Sequence, residues 1–276
     1  MSERMHWPTQ IEWIENAEPL VSKDVLFPFA LDEVLCRRFH KGGLPALHSW
    51  AHGNALVLGL RDRRLPLADR AIELLRAQGT DVIVRNSGGT AVPLDFGVVN
   101  LSLILPTPER SLNFHEDFQY MAAIVNNASS LWTGTVQAGE VDGAYCPGDF
   151  DLSVRGRKIC GISQRRQRHG FAVQAFVNVE GSGEQRANKA ATYYTLASGG
   201  QEGLLFPRVE ARKTASIVEL ARAETGTSQV TTNSFINEVK YFLQNQGIQL
   251  TSRDVTTLDL EEVWHTVEQL RTRYDR

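Results

Sequence analysis

The first half of the chain contains short apolar runs that end in turn residues. Such runs at Asn54–Leu60, Asp81–Arg85 and Val98–Leu105 predict buried strands. Between the first two, Pro66 opens and Gly79 closes a stretch whose apolar residues recur at helical spacing, which predicts a helix. The apolar positions of that helix are Leu67, Ala71, Leu74 and Leu75.

A longer helix is predicted after the third strand. Thr107-Pro108-Glu109 has the composition of an N-cap and a first turn. Apolar residues then follow at helical spacing, which places one face of the helix against a core. These residues are Phe114, Phe118, Met121, Ala122 and Val125.

Between residues 150 and 180 the period changes to two. Phe150–Arg155 predicts a strand, and Gly156-Arg157 behind it predicts a two-residue hairpin turn. In Phe171–Val179, apolar residues alternate with polar residues such as Gln174 and Asn178, which predicts an antiparallel strand with one buried face.

After residue 210 the pattern is helical, with two amphipathic stripes. They consist of Phe235, Val239, Phe242 and Leu243, and of Leu260, Val263, Trp264 and Val267. Strands mixed with helices, then a hairpin, then helices indicate an α+β fold with a mixed or antiparallel sheet. No linker divides the chain, so we expect a single domain over residues 1–276.

Composition and charge narrow the class of protein. The 276 residues are 42% hydrophobic and 22% charged, as in ordinary globular domains. A net charge of −3 argues against a dedicated nucleic-acid binder. Acidic residues interrupt the first 28 positions, unlike a signal peptide, and no stretch approaches the ~20 apolar residues that span a bilayer. We therefore expect a cytoplasmic protein without a membrane or nucleic-acid partner.

Three cysteines, none in a C-x-x-C pair, disfavour a disulfide framework, thiol redox chemistry and cysteine-rich zinc sites. The clustered His40, His48 and His52 have no zinc-ligand spacing to carboxylates, so we expect surface or core histidines and no metal site.

A glycine-rich loop, Arg85–Gly97, connects two predicted strands. Paired glycines let backbone N–H groups approach a ligand, and an arginine at a strand end can hold an anion or a carbonyl. The loop lacks both the P-loop and the Rossmann fingerprints. An ordinary turn is the alternative.

Cys146 lies in an irregular segment, Gly143–Asp151, directly before Pro147. A thiolate there could supply the nucleophile of an acyl transfer if a cation lay nearby. The alternative is a small packed hydrophobe.

A basic segment, Arg155–Arg168, follows. Within it Lys158 stands among apolar residues and close to Gly161, as expected for a cation held at a strand edge near a cleft. A solvated charged surface is the alternative.

Two of these segments resemble motifs of the biotin/lipoate protein ligase and octanoyltransferase superfamily. Arg85–Gly97 resembles its R-x-x-G-G-G-x-V-x-H-D-x-G signature, and Arg157–Gly161 resembles its G-x-K-I-x-G lysine strand. The signature is matched at Arg85, Gly88, Gly89, Val92, Asp95, Gly97 and also at Asn100. Thr90 replaces the third glycine and Leu94 the histidine, which puts ATP-dependent adenylation in doubt.

The resemblance implies the fold of the biotin/lipoate protein ligase catalytic domain, with mixed, largely antiparallel sheets flanked by helices. This core would span about residues 40–225, with C-terminal helices in 226–276 packed on it.

Within the superfamily, Tyr145–Leu152 and Gly161–Arg166 resemble the octanoyltransferases whose donor is the octanoylated glycine cleavage H protein. Twelve positions separate Cys146 from Lys158, which favours this group over its sister group, whose donor is octanoyl-acyl carrier protein. The resemblance implies catalysis by Cys146, as a thioester acyl-enzyme, with Lys158 beside the thiol. The implied substrate-binding residues are Arg85, Ser87, Gly88, Gly89, Asp95 and Gly161.

The implied reaction belongs to lipoate biosynthesis and needs no cofactor, since the octanoyl or lipoyl group is the substrate. The implied acceptors are apo lipoyl domains of 2-oxoacid dehydrogenase E2 subunits. Such domains tend to be acidic, so Arg165, Arg166 and Arg168 would steer them electrostatically. Arg85–Gly89 and Val173–Val177 are candidates to line an acyl tunnel.

Three other functions stay open. An octanoyltransferase could take its acyl group from acyl carrier protein. An ATP-using lipoate or biotin ligase would not need a nucleophile at Cys146. A catalytically inactive domain could bind acylated carrier proteins without turnover.

Overall fold

The computed structural model describes residues 5–16, 24–107, 114–225 and 230–274. Its strands are β1 Gln10–Asn16, β2 Ala46–Trp50, β3 Asn54–Leu58, β4 Asp81–Val84, β5 Val92–Asp95, β6 Val98–Pro106, β7 Gln137–Ala138, β8 Leu152–Val154, β9 Arg157–Arg166, β10 Gly170–Asn178 and β11 Gln249–Arg253. Its α-helices are α1 Leu26–Arg37, α2 Ala68–Ala77, α3 Phe114–Thr133, α4 Gly183–Ser198, α5 Ile217–Thr225, α6 Thr232–Asn245 and α7 Leu260–Tyr274.

The described strands form two sheets. The large sheet has the order β11-β1-β2-β6-β10-β9-β8-β7, and the small sheet has the order β4-β3-β5. In the large sheet β1 pairs in parallel with β2 and β11, and the remaining pairs are antiparallel. The sheets are therefore mixed and largely antiparallel, as predicted.

Helices cover both faces of the large sheet. On one face α1 and α7 pack together, with the small sheet, α2 and α4 beside them. On the other face lie α3, α5 and α6. Because β10 is a central strand of the large sheet and is covered on both faces, all nine of its residues are buried. The prediction of one buried face on this strand was wrong, and Gln174 and Asn178 lie inside the protein.

The strand and helix predictions in the first half are confirmed by β3, α2, β4 and β6. Two residues expected on the buried face of α2, Leu67 and Leu74, are however about 40% exposed. In α3 the stripe residues Met121 and Val125 are fully buried. The N-cap predicted at Thr107-Pro108-Glu109 falls largely on residues outside the described ranges.

The hairpin turn lies one residue earlier than predicted. Arg155 and Gly156, with φ of 51° and 72°, connect β8 to β9. A two-residue turn of type I′ needs positive φ at both central residues, and a glycine in its second position satisfies this most easily. Gly156-Arg157 would have put the glycine first, and Arg157 instead begins β9.

The C-terminal segment contains a strand that the sequence did not predict. α6 packs on α3 and α7 packs on α1, while β11 between them extends the large sheet beside β1. Gln249–Arg253 is polar and largely exposed because it is an edge strand. Such a strand has no apolar alternation for the sequence to show.

Candidate active site

A cavity of about 400 Å³ lies between the small sheet and the face of the large sheet that carries α1. Much of its wall is apolar or aromatic, with Phe29, Trp50, Val57, Leu94, Phe118 and Phe176 among the lining side chains. Two irregular segments border it: the glycine loop, residues 85–91 between β4 and β5, and the cysteine loop, residues 141–151 before β8.

Cys146 lies where these loops meet. Its Sγ accepts hydrogen bonds from the backbone N–H of Thr90 (3.2 Å) and from Nη2 of Arg85 (3.4 Å). Cys146 is mostly shielded from bulk solvent but lines the cavity. It has a φ of 47°, a left-handed conformation that is uncommon for a residue with a side chain. The thiol is thus held by donors that would stabilise negative charge on sulfur.

The glycine loop reaches the sulfur because Gly89 has no side chain. Gly89 has a φ of 94°, and a Cβ built on it would lie 2.8 Å from Cys146 Sγ and 2.3 Å from Arg85 Nη2. The same guanidinium nitrogen donates to the carbonyl of Thr90 at 3.0 Å. The absence of a side chain at Gly89 therefore lets the loop backbone come close to the sulfur, whereas approach of this backbone to a ligand stays a prediction.

Lys158 lies fully buried on β9, beneath the cysteine loop. Its ammonium pairs with the carboxylate of Asp151 at 2.8 Å. It also donates to the carbonyl oxygens of Tyr145 (3.1 Å) and Cys146. The alternative of a solvated charge is wrong for this lysine, whose ammonium pairs with one carboxylate, donates to the main chain at Tyr145 and Cys146 and lies near the rings of Tyr145 and Phe176.

Asp151 was not predicted as a site residue. It is almost fully buried, lines the cavity and also accepts a hydrogen bond from the N–H of Gly148 at 3.2 Å. Burial raises the pKa of Asp151 to about 6, although the Lys158 ammonium acts to lower it. Hairpin register could have revealed the pair. Ser153 lies opposite Lys158, and Asp151 is two residues earlier on the chain.

The structure brings together most of the predicted binding residues. Arg85, Gly88, Gly89 and Gly161 line the cavity with Cys146. Gly161 also lies under the ring of Phe176, where a Cβ would come within 2.5 Å of a ring carbon.

Two predicted binding residues lie elsewhere. Ser87 is buried in the glycine loop but is not among the residues lining the cavity. Asp95 ends β5, and its two carboxylate oxygens accept from Arg186 at 2.6 and 2.8 Å, outside the cavity lining. Substrate contact by these two residues stays a prediction.

A buried polar cluster reaches the cavity wall through Ser102 and Gln174. The carboxylate of Asp32 accepts from Ser102 and from Gln174, both at 2.6 Å, and pairs with Nδ1 of His48 at 2.9 Å. Strand register places His48, Ser102 and Gln174 in one row across β2, β6 and β10. The alternation of polar residues in β10 was the available signal, but we interpreted it as a solvated face, whereas Ser102 and Gln174 line the cavity. Among the predicted tunnel residues, Ala175 and Phe176 line the cavity, while Val173 and Val177 belong to the core on the opposite face.

The predicted arginine cluster is not a set of unpaired charges. Arg165 pairs with Glu33 at 3.0 Å, and Arg166 pairs with Asp117. Arg168 is exposed. The described residues contain no group of three potential metal ligands. None of the described helices combines the length and apolar composition needed to cross a bilayer.

The fold and the two bordering loops define a class of catalytic domain. A family profile described as "Lipoyl protein ligase A/B catalytic domain" matches residues 24–253, and the chain belongs to this family. Two solved structures share the fold. One is a lipoate-protein ligase A bound with ATP, with a TM-score of 0.68, 16% identity and coverage of 98% and 97% of the two chains. The other is a bi-partite lipoate protein ligase from Thermoplasma acidophilum, with a TM-score of 0.65, 17% identity and coverage of 98% and 95%.

Curated relatives narrow the comparison to particular enzymes. The chain is 36% identical to octanoyl-[GcvH]:protein N-octanoyltransferase of Anoxybacillus flavithermus, over 91% of this chain and 90% of that protein. It is 32% identical to lipoyl-[GcvH]:protein N-lipoyltransferase of Listeria monocytogenes, over 96% and 94%. The predicted superfamily, its fold and the resemblance to the octanoyltransferase group are confirmed.

Proposed function

We propose that this chain transfers an octanoyl group from a lysine of the octanoylated glycine cleavage H protein to a lysine of an E2 lipoyl domain. The reaction takes place in the cytoplasm, needs no ATP and passes through a thioester on Cys146. The observation that carries the proposal is the position of Cys146 Sγ, at the wall of a largely apolar cavity and within reach of the Thr90 N–H and Arg85.

The chemistry follows from these neighbours. Sulfur attacks the octanoyl amide carbonyl, the C–N bond breaks, and the thiol proton ends on the departing lysine amine. The acceptor amine then attacks the thioester, releases the thiol and forms a new amide. Arg85 and the Thr90 N–H favour charge on sulfur in both steps, while Lys158 holds the peptide on either side of the nucleophile.

The cavity suits an aliphatic chain. Its volume of about 400 Å³ is in the ordinary range of small-molecule sites, and its aromatic wall would remove the hydrocarbon from water. Because Cys146 lines this cavity, the carbonyl end of a bound acyl group would face its Sγ.

The buried cations favour a transferase over an ATP-dependent ligase. Binding a triphosphate requires cationic side chains free to pair with it. Lys158, buried beneath the cysteine loop, is paired with Asp151, and Arg85 at the cavity wall donates to Thr90 and Cys146. Neither group is available to phosphate without breaking an existing contact.

Lipoyl transfer is the second candidate, because the Listeria monocytogenes relative is named a lipoyltransferase. Both acyl groups share the carboxyl end that meets sulfur. The H protein as donor is supported by the names of both relatives.

The test is transfer from octanoyl-H protein to an apo lipoyl domain without ATP, followed by intact-mass spectrometry. Wild type should transfer the octanoyl group and carry a hydroxylamine-sensitive adduct. Cys146→Ala should do neither. Cys36→Ala is the matched control, because Cys36 is a buried cysteine of α1 that does not line the cavity. A parallel reaction with lipoyl-H protein separates the two acyl groups.

Transfer that needs ATP and free acid, or that survives Cys146→Ala, would contradict the proposal. Binding of the acylated donor without turnover would also contradict it and would favour a binding module.

A further inference from the structure

Asp151 connects Gly148 of the cysteine loop to Gly139, which lies before the loop, and to Lys158 on β9. Its carboxylate accepts from Gly148 N–H, and its own N–H donates to the carbonyl of Gly148 at 3.0 Å. Its carbonyl accepts from Gly139 N–H at 2.9 Å. The same carboxylate pairs with Lys158 at 2.8 Å. Asp151 thus links the backbone that follows Cys146 to the strand that lies beneath it.

Lys158 extends this link to the nucleophile itself. An ammonium group has three N–H donors. Here it faces three acceptors: the Asp151 carboxylate and the carbonyls of Tyr145 and Cys146. Both peptide carbonyls around the nucleophile are therefore tied to one buried ion pair.

The backbone at Cys146 needs such support. A left-handed conformation is disfavoured for a residue with a Cβ, so it persists only where its surroundings impose it. With φ at 47°, Cys146 directs Sγ to the Thr90 N–H and Arg85. Loss of the ion pair would release the carbonyls and let the backbone relax to a commoner conformation.

We propose that Asp151 is a positioning residue for acyl transfer, which acts through Lys158 and Gly148 to hold Cys146 in the conformation that aims its sulfur at the glycine loop. The effect on acyl transfer rests on the proposed function, whereas the effect on the chemical reactivity of the Cys146 thiol does not. Asp151 need not touch the acyl group to fill this role.

The charge on Asp151 makes the arrangement sensitive to acid. The titratable groups that face it are Lys158 and Cys160 from β9 and Glu140 from the segment after β7. Since the pKa of Asp151 is raised to about 6, its carboxylate becomes protonated below that pH and Lys158 loses its counter-ion. Transfer and thiol reactivity should therefore fall as the pH drops through about 6.

The experiment compares Asp151→Asn with wild type by two readouts: steady-state transfer, and alkylation of Cys146 by iodoacetamide followed by peptide mass spectrometry. We expect kcat to fall about 100-fold with KM for the donor within about threefold, as for a misplaced reacting group. Alkylation should slow about tenfold, and the acid limb near pH 6 should disappear from the variant's profile. Asp142→Asn is the matched control, since Asp142 is an exposed aspartate of the same loop.

Thermal unfolding establishes that each variant is folded at the assay temperature. If Asp151→Asn does not fold, Asp151→Glu replaces it. That variant keeps the charge but displaces the carboxylate, so a slower alkylation is again expected. A folded variant with wild-type alkylation, kcat and pH profile would overturn the inference. If wild type transfers no octanoyl group but Asp151→Asn still slows alkylation, the positioning role stands and the proposed function fails.

Discussion

The two loops that meet at the sulfur are held in place in opposite ways. The glycine loop approaches because Gly89 lacks a side chain, and what it offers the sulfur is a backbone N–H and one guanidinium. The cysteine loop carries Cys146 in a disfavoured conformation, above a buried ion pair of Lys158 with Asp151 that we propose maintains it. The glycine loop depends on the absence of a side chain at Gly89, and the cysteine loop depends on a buried ion pair. A substitution in the glycine loop should therefore displace the donors that reach Cys146 Sγ, whereas a substitution in the ion pair should change the backbone conformation of Cys146.

Lys158→Met should produce the largest effect and tests the charged loop. It keeps the length of the side chain but leaves Asp151 buried without its counter-ion, which typically destabilises a protein by about 3–5 kcal/mol. Transfer should fall by about 10³-fold because the carbonyls beside Cys146 lose their donor. Urea unfolding and single-turnover transfer measure the two losses.

The double variant Lys158→Met with Asp151→Asn sharpens this test. Because the double variant has no unpaired buried charge at this pair, it should recover more than half of the lost free energy of unfolding. Transfer should stay low. Recovery of both together would mean that the pair serves folding only.

Gly89→Ala should have an intermediate effect and tests the uncharged loop. The new methyl group would overlap Arg85 Nη2 and crowd Cys146 Sγ, so we expect transfer to fall about 100-fold. Its control is Gly79→Ala, at a glycine with a similar φ of 79° and open space around it. That change should cost about 1 kcal/mol of stability and leave transfer unchanged. Equal losses of activity in both variants would contradict the steric explanation.

Arg168→Glu should have the smallest effect and leaves both loops intact. Arg168 is exposed, whereas Arg165 pairs with Glu33, which also accepts from Asn86 of the glycine loop. If an acidic carrier domain is steered to the site, kcat/KM should fall about three- to fivefold at low salt and recover at high salt, with kcat constant. A salt-independent loss would refute steering.

The glycine loop, Cys146 and Lys158 could be predicted from the sequence because each lies in a local motif. Asp151 was missed because a contact between a loop residue and a neighbouring strand depends on hairpin register, and the predicted turn was shifted by one residue. The sequence also showed no sign of the ion pairs that Arg165 and Arg166 make. Their partners, Glu33 and Asp117, lie on helices far away in the sequence, where spacing carries no information.

Buried polar residues mark a second limit. Gln174 and Asn178 sit in an alternating strand, and alternation ordinarily indicates one solvated face. Here Gln174 faces a cavity and the buried carboxylate of Asp32, and Asn178 accepts a hydrogen bond from the Tyr145 hydroxyl, so the same pattern arises from buried polar contacts. The fold class was still predicted correctly, because it depends on the order of the strands and helices rather than on which residues are exposed to solvent.

The parallel pairing of β1 with β11 has a consequence for how the chain acquires its structure. Gln10 lies opposite Gln249, so an early strand finds its outer neighbour only when almost the whole polypeptide is available. Contacts so distant along the chain slow folding, because a long loop must close before they form. During synthesis the edge of β1 would stay open until β11, from residue 249 onward, leaves the ribosome. The nascent protein would therefore pass through a stage in which its first strand can pair with another chain.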